Sequence, residues 1–296
     1  MDLSTGLANS KRSTTSYIAE PLSAHTHSLI LLHGLGSNGE KFGSELLKTG
    51  LSSGGHTLPQ LLPGARFVFP TAKRRRSSAF SRSKLTQWFD IASLDDPSYR
   101  QYTQLEGLEE SLHEVLELLR VEVGKVSAHN VLLGGLSQGM AMSAICLLYL
   151  DFPLGGFIGM SGWLPYSKDL HEVLNDDAEN DPFGIEDPFD VPAGRKSEEQ
   201  EPIHKAVDFI RDLLGGDLQA VSRNALATPV FLGHGMADEK IVPDLGENAC
   251  STLREVGFKV SWRTYQGQGH WYKIPEEIDD ILAFMSTEMK WPVGNN

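Results

Sequence analysis

Six short apolar runs, each bounded by turn residues, constrain this chain most: SLILLHG (28–34), RFVFP (66–70), NVLLGGLS (130–137), GFIGMSG (156–162), PVFLGHG (229–235) and FKVSWRTY (258–265). Runs without polar alternation are the mark of strands buried on both faces. Helical patterns lie between many of them. The clearest spans 103–123, where Leu105, Leu108, Leu112, Leu116, Leu119 and Val123 recur at three- and four-residue spacing, and Thr103 with Glu106 reads as a capping box. Further helices are expected at 138–151, 202–214, 244–256 and 275–289. Strands alternating with helices imply an α/β fold: a mostly parallel, doubly wound sheet with helices on both faces. In such a sheet binding groups collect beyond the carboxyl ends of the strands.

At one such end stands Gly135-Leu136-Ser137-Gln138-Gly139, a G-x-S-x-G motif with a strand before it and a helix after it. That context turns a strand sharply into a helix and exposes the serine in a strained conformation, with glycines where a Cβ would crowd the crossing. Alone, the five residues would equally suit an ordinary glycine-rich turn. A serine hydroxyl is a poor nucleophile at neutral pH and needs a base, held in turn by a carboxylate. Of the 10 histidines, His270 in GQGHWY follows the strand at 258–265, and Asp238 in HGMADEKIV follows the strand at 229–234. The order Ser137, Asp238, His270 is the one α/β-hydrolases use. Developing negative charge would be held by the backbone N–H of Gln138, at a helix start, and by that of Leu35 in the loop HGLGSNG. His33 is expected to support that loop by hydrogen bonding.

The length of 296 residues and 40% hydrophobic content allow one large core, so one domain is expected over 1–296, with 1–25 as an N-terminal extension and 171–201 as an acidic insertion. A formal charge of −13 argues against general nucleic-acid affinity. The two cysteines, Cys146 and Cys250, make no disulfide framework, and no apolar run approaches a membrane span. The start of the chain lacks a signal-peptide pattern. A cytoplasmic protein is expected, with a nuclear location also open and membrane contact at most peripheral. No metal, nucleotide or other cofactor is expected, since neither a His/Cys cluster at metal spacing nor G-x-x-x-x-G-K occurs.

The segments LILLHGLGSNG, WFDI, GLSQGMAMS, SGWLP, PVFLGHGMADEKIV and GQGHWY resemble, in order, the acyl-protein thioesterase and carboxylesterase (lysophospholipase) family of α/β-hydrolases. The likeness runs from about 28 to about 285, interrupted at 71–84 and 171–222. It implies Ser137 as nucleophile, Asp238 as acid, His270 as base, and Leu35 and Gln138 as oxyanion donors, with no cofactor. The implied substrates are acyl thioesters or esters, including S-acylated proteins and lysophospholipids. A carboxylesterase for small soluble esters and a hydrolase-fold ligand-binding protein with little turnover are the rival readings. Ser37 stands where the family often has Asp, the segment before Trp88 is unusually basic, and the distance from Trp163 to the strand at 229 is long.

Trp88, Trp163 and Trp271 are the candidate substrate-binding residues; Trp88 and Trp163 would either rim the site or simply fill the core, and Trp271 is the best placed for a pocket edge. Leu46, Leu47, Leu51, Leu58, Leu61 and Leu62 would form either one wall of an acyl channel or, more simply, core. Residues 71–87 read as an irregular stretch with six Lys or Arg and no acid. It would meet an anionic lipid surface, an acidic protein or an import receptor, would pair with the acidic insertion, or would be a plain solvated loop. The sequence RRRSS also invites phosphorylation of Ser77 or Ser78.

Overall fold

The computed structural model describes residues 15–175, 201–215 and 223–294. In chain order its elements are β1 (Ser16–Ala19), β2 (His27–Leu32), α1 (Gly39–Thr49), α2 (Leu58–Leu61), β3 (Ala65–Pro70), β4 (Arg74–Arg76), β5 (Lys84–Thr86), α3 (Leu105–Val123), β6 (Val131–Leu136), α4 (Gln138–Tyr149), β7 (Gly156–Met160), α5 (Ser167–Asn175), α6 (Pro202–Leu214), β8 (Val230–Gly235), α7 (Pro243–Val256), β9 (Val260–Tyr265) and α8 (Glu276–Thr287). Seven strands form one sheet in the order β1-β3-β2-β6-β7-β8-β9. All neighbours are parallel except β1 on β3. The six apolar runs are six of these strands.

Alternate strand residues supply two cores. Ile30, Leu32, Val68, Val131 and Leu133 face α3, α4, α6 and α7, whereas Leu29, Leu31, Phe67, Phe69 and Leu132 face α1, α2 and α8. Period-2 alternation with both sides apolar is what a sheet covered on both faces requires. Helix α4 is buried over Gln138–Leu148, including the small residues Gly139, Ala141, Ser143 and Ala144. Its first turn therefore lies close against the sheet. Leu46, Leu58, Leu61 and Leu62 are buried in the second core, which favours the packing reading of the leucines.

Three details differ from the sequence reading. Residues 16–19 of the N-terminal extension form an edge strand, short and half-exposed, and so lack the apolar density that marks the others. The capping box at Thr103 does not form. A 3₁₀ turn at Gln101–Gln104 runs straight into α3, so Gln104 is already helical and Thr103 Oγ1 is left without a partner. The basic stretch is a hairpin, β4 against β5, and not a loop. Residues 176–200, most of the acidic insertion, lie outside the described residues. Among the described residues no helix is long and apolar enough to cross a membrane.

Candidate active site

Ser137 joins β6 to α4 with φ 58° and ψ −124°, a conformation that costs a non-glycine residue about 1–3 kcal/mol. Its backbone is fixed on both sides, since Ser137 N donates to Met160 O at 2.9 Å and Ala141 N donates to Ser137 O at 3.1 Å. The flanking glycines are demanded by the crossing with β2. A Cβ on Gly135 would lie 2.6 Å from Leu32 O, and one on Gly139 would lie 2.1 Å from the same oxygen. That oxygen is backbone, so it cannot give way as the end of a flexible side chain would.

Asp238 and His270 reach the same place from the turns after β8 and β9. His270 Nε2 lies 2.9 Å from Ser137 Oγ, and Nδ1 lies 2.8 Å from Asp238 Oδ2. The other carboxylate oxygen, Oδ1, accepts from Lys240 N at 2.9 Å and Ile241 N at 3.0 Å. Burial alone would raise the Asp238 pKa, but hydrogen bonds from His234, His270 and Ile241 N–H hold it well below the usual carboxylate range. An ionised Asp238 fixes the imidazole with its proton on Nδ1 and leaves Nε2 free to accept from the serine hydroxyl. His234 was not singled out from the sequence. Its Nε2 donates to Ile241 O at 2.8 Å and lies 3.4 Å from Asp238 Oδ2, which pins the turn that presents the carboxylate. A histidine inside the apolar run PVFLGHG was the available signal.

The two N–H groups expected to hold an oxyanion belong to Gln138, next to Ser137 in the chain, and to Leu35 in the loop after β2. Gln138 N opens α4, where the helix dipole favours negative charge. Leu35 follows Gly34, whose Cβ, if present, would be 3.7 Å from Ser137 Oγ. Among the described residues the Leu35 N–H donates to no protein group. The loop is held by its neighbours: Gly36 N donates to Thr86 O of β5 at 2.8 Å, and Asn38 caps α1 by accepting from Lys41 N. His33 is buried, and Nε2 accepts from Ala72 N at 3.1 Å, so Nδ1 carries the proton and donates to Gly34 O at 2.7 Å. Burial pushes its pKa down to about 4, so it stays neutral and supportive.

The Gln138 side chain has a role that sequence reasoning missed. Its Nε2 donates to Phe89 O at 2.8 Å and its Oε1 accepts from Trp88 N at 3.0 Å, which ties the first residue of α4 to the bend after the hairpin. Trp88 is not brought to the site opening. It is 1% exposed and its indole N–H donates to His33 O at 2.8 Å, so it braces the loop from beneath. Trp163 is likewise buried, edge-on to Phe89, and lines a cavity of about 90 Å³ with Tyr166, Gln101 and Leu245. Trp271 remains partly exposed beside His270, packed edge-on against Phe42.

Arg75 and Lys73 of the basic segment pair with carboxylates of α3, with Arg75 Nη1 2.6 Å from Glu110 and Lys73 Nζ 2.6 Å from Glu114. Ser77 is fully buried and the Ser78 hydroxyl donates to Asp90, so neither is presented for modification as RRRSS suggests. Among the described residues no group of three or more His, Cys, Asp or Glu could hold a metal ion.

The model of the phospholipase/carboxylesterase family matches residues 13–206, and that of the prolyl oligopeptidase family matches residues 216–291, the segment with Asp238 and His270. Acyl-protein thioesterase 1 of Gibberella zeae is 26% identical over 270 residues, covering 90% of this chain and 92% of the relative. The protein of that name from Cryptococcus neoformans is 29% identical over 284 residues, covering 91% and 95%. Among solved structures, acyl-protein thioesterase 2 of Zea mays superposes with a TM-score of 0.64 at 23% identity, covering 93% of this chain and 99% of that one. The Bacillus cereus carboxylesterase does so at 0.56 and 14%, covering 93% and 94%. The chain thus belongs to the phospholipase/carboxylesterase family, with the α/β-hydrolase fold.

Proposed function

We propose that the protein is a serine hydrolase that cleaves acyl thioesters, with acyl-cysteine on S-acylated proteins as the preferred substrate class. The reading is carried by the unbroken line from Ser137 Oγ through His270 to Asp238, at 2.9 and 2.8 Å. Ser137 attacks the acyl carbonyl while His270 takes its proton, and the N–H groups of Leu35 and Gln138 receive the oxyanion. His270 then returns the proton to the departing thiol. Water, activated by the same imidazole, releases the acid from the acyl-enzyme and restores the serine.

The relatives named acyl-protein thioesterase support the thioester preference. Exposed apolar side chains that suit an acyl chain also stand near the acid and the base in the sequence, Met236 and Val242 about Asp238 and Ile274 after His270. Trp271, partly exposed next to His270, adds to them, while Trp88 and Trp163 act through packing. Exposed Arg74, Arg76 and Lys84 on the hairpin favour peripheral contact with an anionic membrane, where acylated proteins and lysophospholipids reside. Two buried free cysteines agree with a cytoplasmic or nuclear setting.

The test compares kcat/KM on a palmitoyl-cysteine peptide, a lysophospholipid and short p-nitrophenyl esters. Highest efficiency on the long thioester is expected. Fast turnover of short esters alone would replace the reading with that of a general carboxylesterase.

A further inference from the structure

Glu277 lies outside the line of three, yet it touches both elements that deliver two of its members. Its side chain, near the start of α8, is 1% exposed. Oε2 accepts from Lys273 N at 2.8 Å, and Glu277 N donates back to Lys273 O at 3.0 Å, which closes a ring across Ile274 and Pro275. Lys273 follows His270 by three residues. The other end of this segment is fixed where Ala237 N donates to Gln268 O at 2.9 Å. Oε1 points at Gly233 within β8, the strand that leads to Asp238. A Cβ at 233 would be 2.2 Å from Oε1, so the glycine makes room for the carboxyl.

The surroundings decide the charge of that carboxyl. Oε1 has no hydrogen-bond partner, and no cation pairs with the group among the described residues. The titratable groups that face it are Tyr265 from β9, whose hydroxyl donates to Asp280 at 2.9 Å, Asp280 from α8, and Tyr272 from the His270 segment, whose hydroxyl meets Thr49 of α1. An ionised carboxylate with an unpaired oxygen is far more costly there than a neutral acid.

We propose that Glu277 is a positioning residue for Asp238 and His270, and that it holds them in register only as the protonated acid. Burial pushes its pKa up to about 8, with Asp280 adding to the rise and the Lys273 N–H bond opposing it. The folded chain therefore holds this proton more tightly than an unfolded one. The stability it contributes is complete below the ordinary carboxylate range and drains away as pH rises towards about 8. Above that, a buried charge appears between β8 and the His270 segment, and the imidazole loses its alignment.

The kinetic arm rests on the hydrolase reading; a spectroscopic arm does not. Glu277→Gln keeps the shape and an acceptor for Lys273 N but has no proton to lose. Wild type should lose kcat, with KM little changed, as pH passes about 8, and Glu277→Gln should remove that alkaline limb. Glu277→Ala, which leaves the segment unheld, should lower kcat by roughly ten- to hundred-fold at every pH. Independently of turnover, the low-field proton NMR signal of His270 Nδ1–H should broaden above about pH 8 in wild type and persist in Glu277→Gln. An identical alkaline limb and an identical NMR titration in Glu277→Gln would overturn the proposal, even if Glu277→Ala failed to fold. Loss of serine-dependent turnover in wild type with the NMR difference intact would instead overturn the hydrolase reading and leave the positioning role standing.

Discussion

The turn at Ser137 and the hairpin β4–β5 flank one loop, in which Gly34 lies against Ser137 and Gly36 N donates to Thr86 O, yet they are built on different logic. At the turn, each residue type is set by an atom it must avoid or reach: glycines at 135 and 139 because Leu32 O is 2.6 and 2.1 Å from where a Cβ would be, and Gln138 because two backbone groups lie across from it. In the hairpin, three successive arginines do different work. Arg75 is turned to Glu110, while Arg74 and Arg76 are on the opposite, exposed side, with Arg76 directly across from Lys84. Like charges across a strand pair weaken it, so this side of the hairpin is not built for stability. Steric demands give a residue one role, whereas charge takes its role from the strand register.

Changes at the turn should therefore be severe and changes in the hairpin mild. After the serine and histidine themselves, the largest effect is expected from Asp238→Asn, which removes the carboxylate that fixes the imidazole tautomer. kcat should fall about 10⁴-fold with the fold intact, as read by steady-state kinetics and circular dichroism. A fall of only a few-fold would break the contrast from the site side. Gly139→Ala comes next, since its methyl meets backbone; urea unfolding should show a loss of about 4 kcal/mol or more, or no folded protein at all. Wild-type stability in that variant would mean that the crossing is looser than described. The smallest effects belong to the hairpin. Arg75→Ala should cost about 1 kcal/mol through the lost pair with Glu110, and Arg76→Ala should fall within about 0.5 kcal/mol of wild type or stabilise slightly. Equal losses at 75 and 76 would erase the distinction between the two sides of the strand.

How much could be read from the sequence follows the same division. Strands β2, β3, β6, β7 and β8 and the helices at 105–123, 138–149, 202–214, 243–256 and 276–287 announce themselves because burial on both sheet faces, or on one helix face, writes a local pattern, whereas the sixth run forms the half-exposed edge strand β9. Ser137, Asp238 and His270 were legible because each follows one of these six strands, and the structure brings their side chains within hydrogen-bonding distance. The hairpin was not, since its three-residue strands carry charge rather than apolar alternation. Nor was the edge strand at 16–19, which needs β3 beside it to exist. Gln138 and Glu277 were hidden for a different reason: their partners at 88–89 and 233 are distant in sequence, and only the fold brings them together. Trp88 shows the converse. A large aromatic in a family motif reads as a pocket wall, but its indole N–H found a buried carbonyl at His33, which took it into the core.

The central claim is that Ser137, His270 and Asp238 act as one unit on an acyl carbonyl. Its most direct test is a double-mutant cycle of Ser137→Ala and His270→Ala, read by kcat on an acyl-cysteine thioester and by labelling with a fluorophosphonate. Each single change should remove about 10⁶-fold of kcat and the pair little more, because neither residue works without the other, and Ser137→Ala should abolish labelling. Losses that add across the pair, or labelling that survives without the serine hydroxyl, would contradict the account.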